Sequence, residues 1–139
     1  MNKQNKDDLK RRIVEEMTVE YSGTLEKNFD LAKQFMRITK DGKVDVLVKD
    51  KVSGQDQISL YLIGKLYAKE AGFAPTDSAG NKELMNELGI PEGSLLPWLM
   101  ALRKKPGIKQ IKEEKQVAHY IPINLVEPTL KIIEKKSKK

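Results

Sequence analysis

Six long cationic side chains cluster in a short stretch late in the chain, and their chemistry suits contact with phosphate groups. They are Arg103, Lys104, Lys105, Lys109, Lys112 and Lys115, and only Glu113 and Glu114 oppose them there. Clustered lysine and arginine side chains bind nucleic-acid backbones because they displace the counterions condensed around the phosphates. The alternative interpretation of this stretch is a solvated charged face without a ligand.

The distribution of charge along the chain favours the first interpretation. The 139 residues carry 26 basic and 20 acidic side chains, for a net charge of +6. Residues 1–102 hold 15 basic and 16 acidic side chains, whereas residues 103–139 hold 11 basic and 4 acidic ones. The whole excess lies in the last quarter, which is typical of a protein that presents one end to a polyanion. For the last five residues, a lysine-rich solubilising tail explains the charge equally well.

Few other residues suit catalysis or metal binding. The chain has no cysteine and one histidine, His119, so the sequence excludes thiolate chemistry, disulfides and multi-histidine metal sites. We interpret His119 as a strand residue rather than a catalytic base. Acidic pairs such as Glu15 and Glu16 do not converge on one point of a helix, and no glycine-rich phosphate loop is present. We therefore expect no enzyme activity, no cofactor and no metal.

The elements that must position the basic side chains are predicted from apolar periodicity and turn residues. Apolar residues spaced four apart predict an amphipathic helix over about residues 6–21, and Ser22–Gly23 is expected to end it. A second helix is predicted from Thr24 to about Ile38. One long helix is also compatible, because an internal glycine costs only about 1 kcal/mol. A turn and a short strand, residues 44–48, are predicted next.

The stretch that begins at Ser53 predicts the helix at the centre of the core. Ser53 is a suitable cap, residues 58–68 are apolar on almost every face, and Gly72 is a suitable end. The following residues predict an extended segment over 73–76 and a loop over 77–80.

Two further helices are predicted before the basic stretch ends. Asn81 is expected to cap the first, which ends near Leu88, and Ser94 to cap the second, which runs to Lys105. With Ser94 as the cap, Pro97 falls in the first turn, where its missing N–H removes no intrahelical hydrogen bond.

The remainder of the chain predicts a β-hairpin and a last helix. Two alternating segments, residues 108–112 and 117–122, flank a charged tip at residues 113–115. Apolar residues from Leu125 onward predict a C-terminal helix that frays over residues 135–139.

The stretch from Asn81 to Lys105 resembles the helix-turn-helix of winged-helix DNA-binding domains of the prokaryotic and archaeal regulator type. The resemblance covers about half of the chain and rests on three features: Leu88-Gly89-Ile90 at the turn, Ser94 opening the second helix with Leu99 and Leu102 near its end, and Pro106-Gly107-Ile108 where such domains turn into the wing. It implies a mainly α fold with a small β-hairpin, of the α+β class. Residues 1–52 would form an N-terminal helical extension with a short strand, and residues 53–139 a winged-helix domain with a C-terminal helix and basic tail.

The resemblance also implies a function. The helix over residues 94–105 is expected to lie in or near the major groove of double-stranded DNA, with the hairpin on the adjacent backbone. A transcriptional regulator is the expected role. The expected DNA-binding residues are Asn81, Ser94, Arg103, Lys104, Lys105, Lys109, Lys112 and Lys115.

The expected exposed face of that helix departs from the pattern of base-reading helices. It would show Glu92, Gly93, Leu96, Pro97, Met100 and Ala101, without the Arg, Lys, Asn or Gln side chains that usually read base edges. We therefore expect weak base specificity. An alternative is a winged helix that serves as a protein–protein interaction module, with Leu96, Pro97 and Met100 as its interaction face.

The remaining expectations concern partners and location. The predicted N-terminal helices offer more apolar surface than a small core absorbs, so they would form a homodimer interface or pack onto their own domain. No apolar run approaches the length of about 18 to 20 residues that a membrane span needs, and the first residues carry no apolar signal segment. We expect a cytoplasmic protein without a membrane partner.

Overall fold

The fold is of mixed α+β class, with short antiparallel strands set between helices. The computed structural model describes residues 8–13, 21–105, 107–113 and 116–138, without the side chains of Tyr21 and Glu113. Within these ranges the helices are α1 (residues 8–13), α2 (Tyr21–Lys27), α3 (Phe29–Lys33), α4 (Gly54–Glu70), α5 (Asn81–Leu88), α6 (Glu92–Lys104) and α7 (Val126–Ser137). The strands are β1 (Met36–Ile38), β2 (Val44–Val46), β3 (Ala79–Gly80), β4 (Lys109–Glu113) and β5 (Gln116–Tyr120), and a 3-10 turn spans Ile123–Leu125.

Helix α4 forms the centre of the core, as the sequence predicts. Its residues 58–66 are all buried, so that every face of this stretch packs against other elements. The Ser53 hydroxyl accepts a hydrogen bond from the Asp56 backbone N–H at 3.1 Å and caps the first turn. After the helix, Gly72 adopts a left-handed conformation with φ of +84°, which favours glycine and ends the helix where expected.

The N-terminal helices depart from the prediction. Helix α2 continues through Ser22 and Gly23, so the expected break there is wrong; a glycine costs a helix only about 1 kcal/mol, and burial of Leu25 in the core offsets that cost. The chain instead bends at Asn28, whose side chain donates to the Thr24 carbonyl at 2.9 Å. Of the helix expected over residues 6–21, residues 8–13 are helical and residues 14–20 lie outside the described ranges.

The segment predicted to end the second helix is a strand. Met36 pairs with Val46, and Ile38 pairs with Val44, in an antiparallel β1–β2 hairpin. Over only three positions, the same apolar pattern fits both the end of a helix and an alternating strand. Whether a helix or a strand forms therefore depends on the pairing partner. The hairpin packs closely on α4, because a Cβ atom at Gly64 would overlap with the methyl carbons of Val44.

The segment predicted as a loop contains strand β3, which pairs with β5 through Ala79 and His119 and through Gly80 and Ala118. As a result Gly80 occupies the cap position of α5, and Asn81 is its first helical residue rather than its cap. Helix α5 ends at Leu88 as predicted, and Gly89 follows in the left-handed conformation with φ of +68°.

Helix α6 begins three residues earlier than predicted, with Pro91 at the cap position and Ser94 as the third helical residue. The Pro91 carbonyl accepts hydrogen bonds from the Ser94 and Leu95 backbone N–H groups at 3.0 and 2.9 Å. These bonds close the first turn, so Ser94 lies within the helix rather than at its cap. Pro97 is therefore the sixth helical residue, and the Gly93 carbonyl lacks its usual donor. Gly93 and Pro97 are both exposed, so water can satisfy that carbonyl.

The second sheet has the strand order β3-β5-β4, with all neighbours antiparallel. The predicted hairpin is thus present, with a third short strand beside it. Helix α7 remains helical to Ser137 instead of fraying from residue 135. A continuous cluster of buried apolar side chains runs from Leu25 in α2 to Ile133 in α7, so residues on both sides of position 52 share one core.

Candidate nucleic-acid interface

Helix α6 positions the first of the basic side chains. Leu95, Leu99 and Leu102 are buried and fix one side of the helix on the core. Arg103 is half-buried, whereas Lys104 and Lys105 are exposed at the C-terminal end, where cations also interact favourably with the helix dipole. The orientation of the basic end of α6 therefore follows from the leucine spacing.

Strand β4 carries two more of these side chains. Lys109 and Lys112 are both exposed. They are three residues apart on a strand, so they project from opposite faces of the hairpin. Because β4 is an edge strand of the β3-β5-β4 sheet, long side chains from both faces can reach past the same edge. Lys115 lies outside the described residues.

The described cations of the end of α6 and of β4 form what we term the basic surface: Arg103, Lys104, Lys105, Lys109 and Lys112. In the described part of the chain, none of the five has a carboxylate oxygen within 4.0 Å of its charged nitrogens. Elsewhere in the described ranges, six lysines do have such partners, at 3.1 to 3.9 Å: Lys27 and Lys131 with Glu127, Lys43 and Lys65 with Glu83, Lys136 with Asp56, and Lys138 with Glu134. Among the described side chains, the basic surface is therefore positive and unpaired, whereas several C-terminal lysines are paired.

The outward side of α6 is apolar, in agreement with the sequence analysis. The side chains of Leu96 and Met100 are 45% and 52% exposed, and Pro97 is exposed between them. Glu92, at the start of the helix, is also exposed. This side offers methyl and methylene groups rather than hydrogen-bond donors.

Asn81 and Ser94 are placed differently from the basic surface. The Asn81 side-chain oxygen accepts a hydrogen bond from His119 Nε2 at 2.6 Å, so it is already engaged within the protein. Ser94 is half-buried and lies nine residues before Arg103, which is about 14 Å along a helix axis. Neither side chain extends the basic surface.

His119 lies on β5 and links three elements of this region. It is 1% exposed, bonds to Asn81 at the start of α5, and faces the charge of Arg103 near the end of α6. Its Nδ1 atom has no hydrogen-bond partner among the described residues. Burial, with a smaller contribution from the Arg103 charge, lowers the pKa of His119 to about 4. The imidazole is therefore neutral at pH 7 and acts as a structural group.

The lowered pKa of His119 predicts a loss of stability in mild acid. Between the ordinary pKa of 6.5 and the folded-state value of about 4, the unfolded chain binds a proton that the folded chain does not. Stability therefore falls as the pH decreases through this window, by about 2 kcal/mol between pH 7 and pH 5. Urea unfolding at both pH values measures the change. In His119→Gln the free energy of unfolding should change little between pH 7 and pH 5. The same change as in wild type would contradict its assignment to His119.

A second polar cluster, formed by Lys65, Glu83 and Tyr61, was not predicted from the sequence. The Lys65 side chain is 7% exposed, and its Nζ donates to the Gly42 carbonyl at 2.9 Å and lies 3.2 Å from Glu83 Oε2. The buried Tyr61 hydroxyl donates to the same carboxylate oxygen at 2.5 Å. Burial and the Glu83 charge raise the pKa of Tyr61, so it remains a neutral donor. Lys65 is a single charged residue among the mostly apolar residues 58–66 of α4. Because a buried charge needs a partner, this position in the sequence indicates a buried acidic residue nearby.

The described ranges contain no group of three or more His, Asp or Glu side chains arranged to hold a metal ion. None of the helices in those ranges has both the length and the apolar character needed to cross a membrane. In comparisons with protein-family models, with curated proteins and with solved structures, nothing matches this chain.

Proposed function

We propose that the protein binds double-stranded DNA through the basic surface and acts as a transcriptional regulator with weak base specificity. The observation that carries the proposal is the clustering, at the end of α6 and on β4, of five cations that have no carboxylate partner in the described residues, whereas six lysines elsewhere in those residues do. Cations without a carboxylate partner break no ion pair when they contact phosphate oxygens, and counterion release supplies the affinity.

The order of elements from α4 to β5 supports a winged-helix arrangement for this proposal. A helix, a short strand, two helices and a hairpin follow one another, and β3 joins the hairpin in one sheet. Helix α6 would then lie at the major groove, and the edge strand β4 would follow the neighbouring backbone.

Weak specificity follows from the outward side of α6. Arg, Lys, Asn and Gln side chains provide most base-edge contacts, and none occupies the exposed positions 92, 93, 96, 97 and 100. Phosphate contacts position a protein on DNA but carry little sequence information. Affinity should therefore vary little between duplexes of different sequence.

Fluorescence anisotropy with a labelled random-sequence duplex tests the proposal. With five phosphate contacts, affinity should fall about 500-fold between about 50 and 200 mM salt. Binding that is absent at low salt, or that changes little over this range, would contradict the proposal.

A second candidate function is a protein-interaction module, and the exposure of Leu96 and Met100 favours it. The variant carrying both Leu96→Ser and Met100→Ser tests whether this apolar side contributes to DNA binding. DNA binding through the basic surface predicts an affinity within about twofold of wild type, because neither side chain contacts phosphate. A large loss of DNA affinity in the same titration would show that the apolar side contacts the duplex, and would contradict purely backbone-based binding.

We also propose a homodimer through the N-terminal helices. The apolar surface that these helices leave exposed is smaller than the sequence suggests. Leu25 and Ala32 of α2 and α3 are buried within their own chain. Leu9 of α1 and Phe29 of α3 are exposed by 57% and 45%, and they are the apolar side chains we propose for contact with a second copy. A dimer would double the number of phosphate contacts along one duplex.

A further inference from the structure

A cleft of about 970 Å³ lies away from the exposed side of α6. Its walls come from the β1–β2 turn, from α4 and α5, from the segment before β3, and from the start of β5. Its volume is within the range of small-molecule sites, and a few convergent polar groups in such a site fix the orientation of the ligand. The cleft joins elements that are distant in sequence.

Two cations and two carboxylates line one side of this cleft. Lys65 Nζ has two partners, the Gly42 carbonyl and Glu83 Oε2, so one of its three N–H groups remains for a ligand. Lys43 Nζ lies 3.9 Å from Glu83 Oε1, beyond hydrogen-bond distance, so both groups retain bonding capacity. The Thr39 hydroxyl donates to Asp41 and lowers the pKa of that carboxyl, which keeps it charged.

The balance of these charges selects the class of ligand. A simple anion would be attracted by Lys43 and Lys65 but repelled by Glu83 and Asp41. A simple cation would be attracted by the two carboxylates but repelled by the two lysines. A zwitterion with its two charges close together satisfies both signs at once. The head group of an α-amino acid has this form, with an ammonium and a carboxylate on one carbon.

The other walls of the cleft determine what the rest of the ligand can be. Ala74, Pro75, Val117 and Ala118 line it and present small apolar groups. We propose that the cleft binds a free α-amino acid with an apolar side chain, its carboxylate on Lys43 and Lys65 and its ammonium on Glu83. This proposal stands on the cleft alone and does not depend on DNA binding.

Titration of the full chain with L-phenylalanine and L-leucine, followed by amide NMR, tests the proposal. Saturable shifts are expected at amides around the cleft, such as Gly42, Gly80 and Val117. Two analogues isolate the head group: 3-phenylpropanoate lacks the ammonium, and 2-phenylethylamine lacks the carboxylate. Each should bind at least about tenfold more weakly than phenylalanine, because each loses charge-assisted hydrogen bonds. No saturable shift with either amino acid, or equal binding of the analogues, would overturn the proposal.

A matched pair of variants locates the site. Lys43→Met removes one of the two lysines proposed to contact the carboxylate of the ligand, and it leaves the Lys65–Glu83 pair in place. It should weaken amino-acid binding about tenfold. Lys40→Met changes an exposed lysine of the same turn that does not line the cleft, and should leave binding unchanged. Equal effects of the two substitutions, or none from Lys43→Met, would contradict the assignment.

Discussion

Replacement of Lys104, Lys105, Lys109 and Lys112 together by alanine is expected to weaken binding to duplex DNA by about 4,000-fold at about 0.1 M salt. Each phosphate contact contributes about eightfold through counterion release at this salt concentration, and the four contributions multiply. All four side chains are exposed and have no carboxylate partner in the described residues, so the fold should remain intact. Anisotropy measures the affinity, and circular dichroism checks the fold.

The control for this variant removes the same charge from other surfaces. Lys40, Lys51, Lys69 and Lys135 are exposed and lie outside the basic surface. Replacing these four with alanine lowers the net charge equally but should change affinity by less than about tenfold, since only long-range attraction is lost. Similar losses in the two variants would mean that net charge rather than the basic surface determines binding.

The second large effect is on stability and concerns the buried pair of Lys65 and Glu83. Glu83→Ala should lower the free energy of unfolding by about 3 kcal/mol, because it leaves a buried ammonium without its carboxylate. The Tyr61 hydroxyl loses its acceptor in the same variant. Urea unfolding at pH 7 measures the change.

Two comparisons make the prediction for Glu83 specific. Glu87→Ala changes the next turn of α5, where no described cation lies within ion-pair distance of the carboxylate, and should cost less than about 0.5 kcal/mol. The double variant Lys65→Met with Glu83→Leu removes both charges and should recover most of the lost stability. A double variant as unstable as Glu83→Ala would indicate that packing rather than the uncompensated charge causes the loss.

Local sequence patterns predicted the elements whose ends and faces depend on nearby residues. Apolar residues on almost every face of 58–68 predicted the central helix, and the turn that begins at Gly89 predicted the end of α5 near Leu88. The exposure of Leu96 and Met100 also followed from leucine spacing in α6. These features depend on helix periodicity and on backbone conformations that favour particular residue types.

The errors arose where distant partners decide the structure. Met36 continues a helical pattern but pairs with Val46, and Ala79 has no local strand signal but pairs with His119. At the start of α6, the carbonyl of Pro91 closes the first turn and displaces Ser94 from the cap position. Strand pairing of short segments depends on tertiary contacts rather than on propensity, so a single sequence does not determine it.

The same limit applies to the candidate sites. A run of six cations opposed by only two acidic residues predicted the basic surface, because its members are close in sequence. The cleft with Lys43, Lys65 and Glu83 joins residues from three separate elements, and only the fold brings them together. The engagement of Asn81 by His119 is likewise a product of the β3–β5 pairing.

The decisive measurement for the basic surface is the dependence of duplex affinity on salt in the two fourfold alanine variants. The logarithm of the binding constant should fall linearly with the logarithm of the salt concentration, with a slope of about −0.9 for each phosphate contact. Removing Lys104, Lys105, Lys109 and Lys112 should flatten the wild-type slope by about 3 to 4 units, whereas the control variant should keep it within about one unit. Parallel slopes for wild type and both variants would contradict phosphate contact by the basic surface.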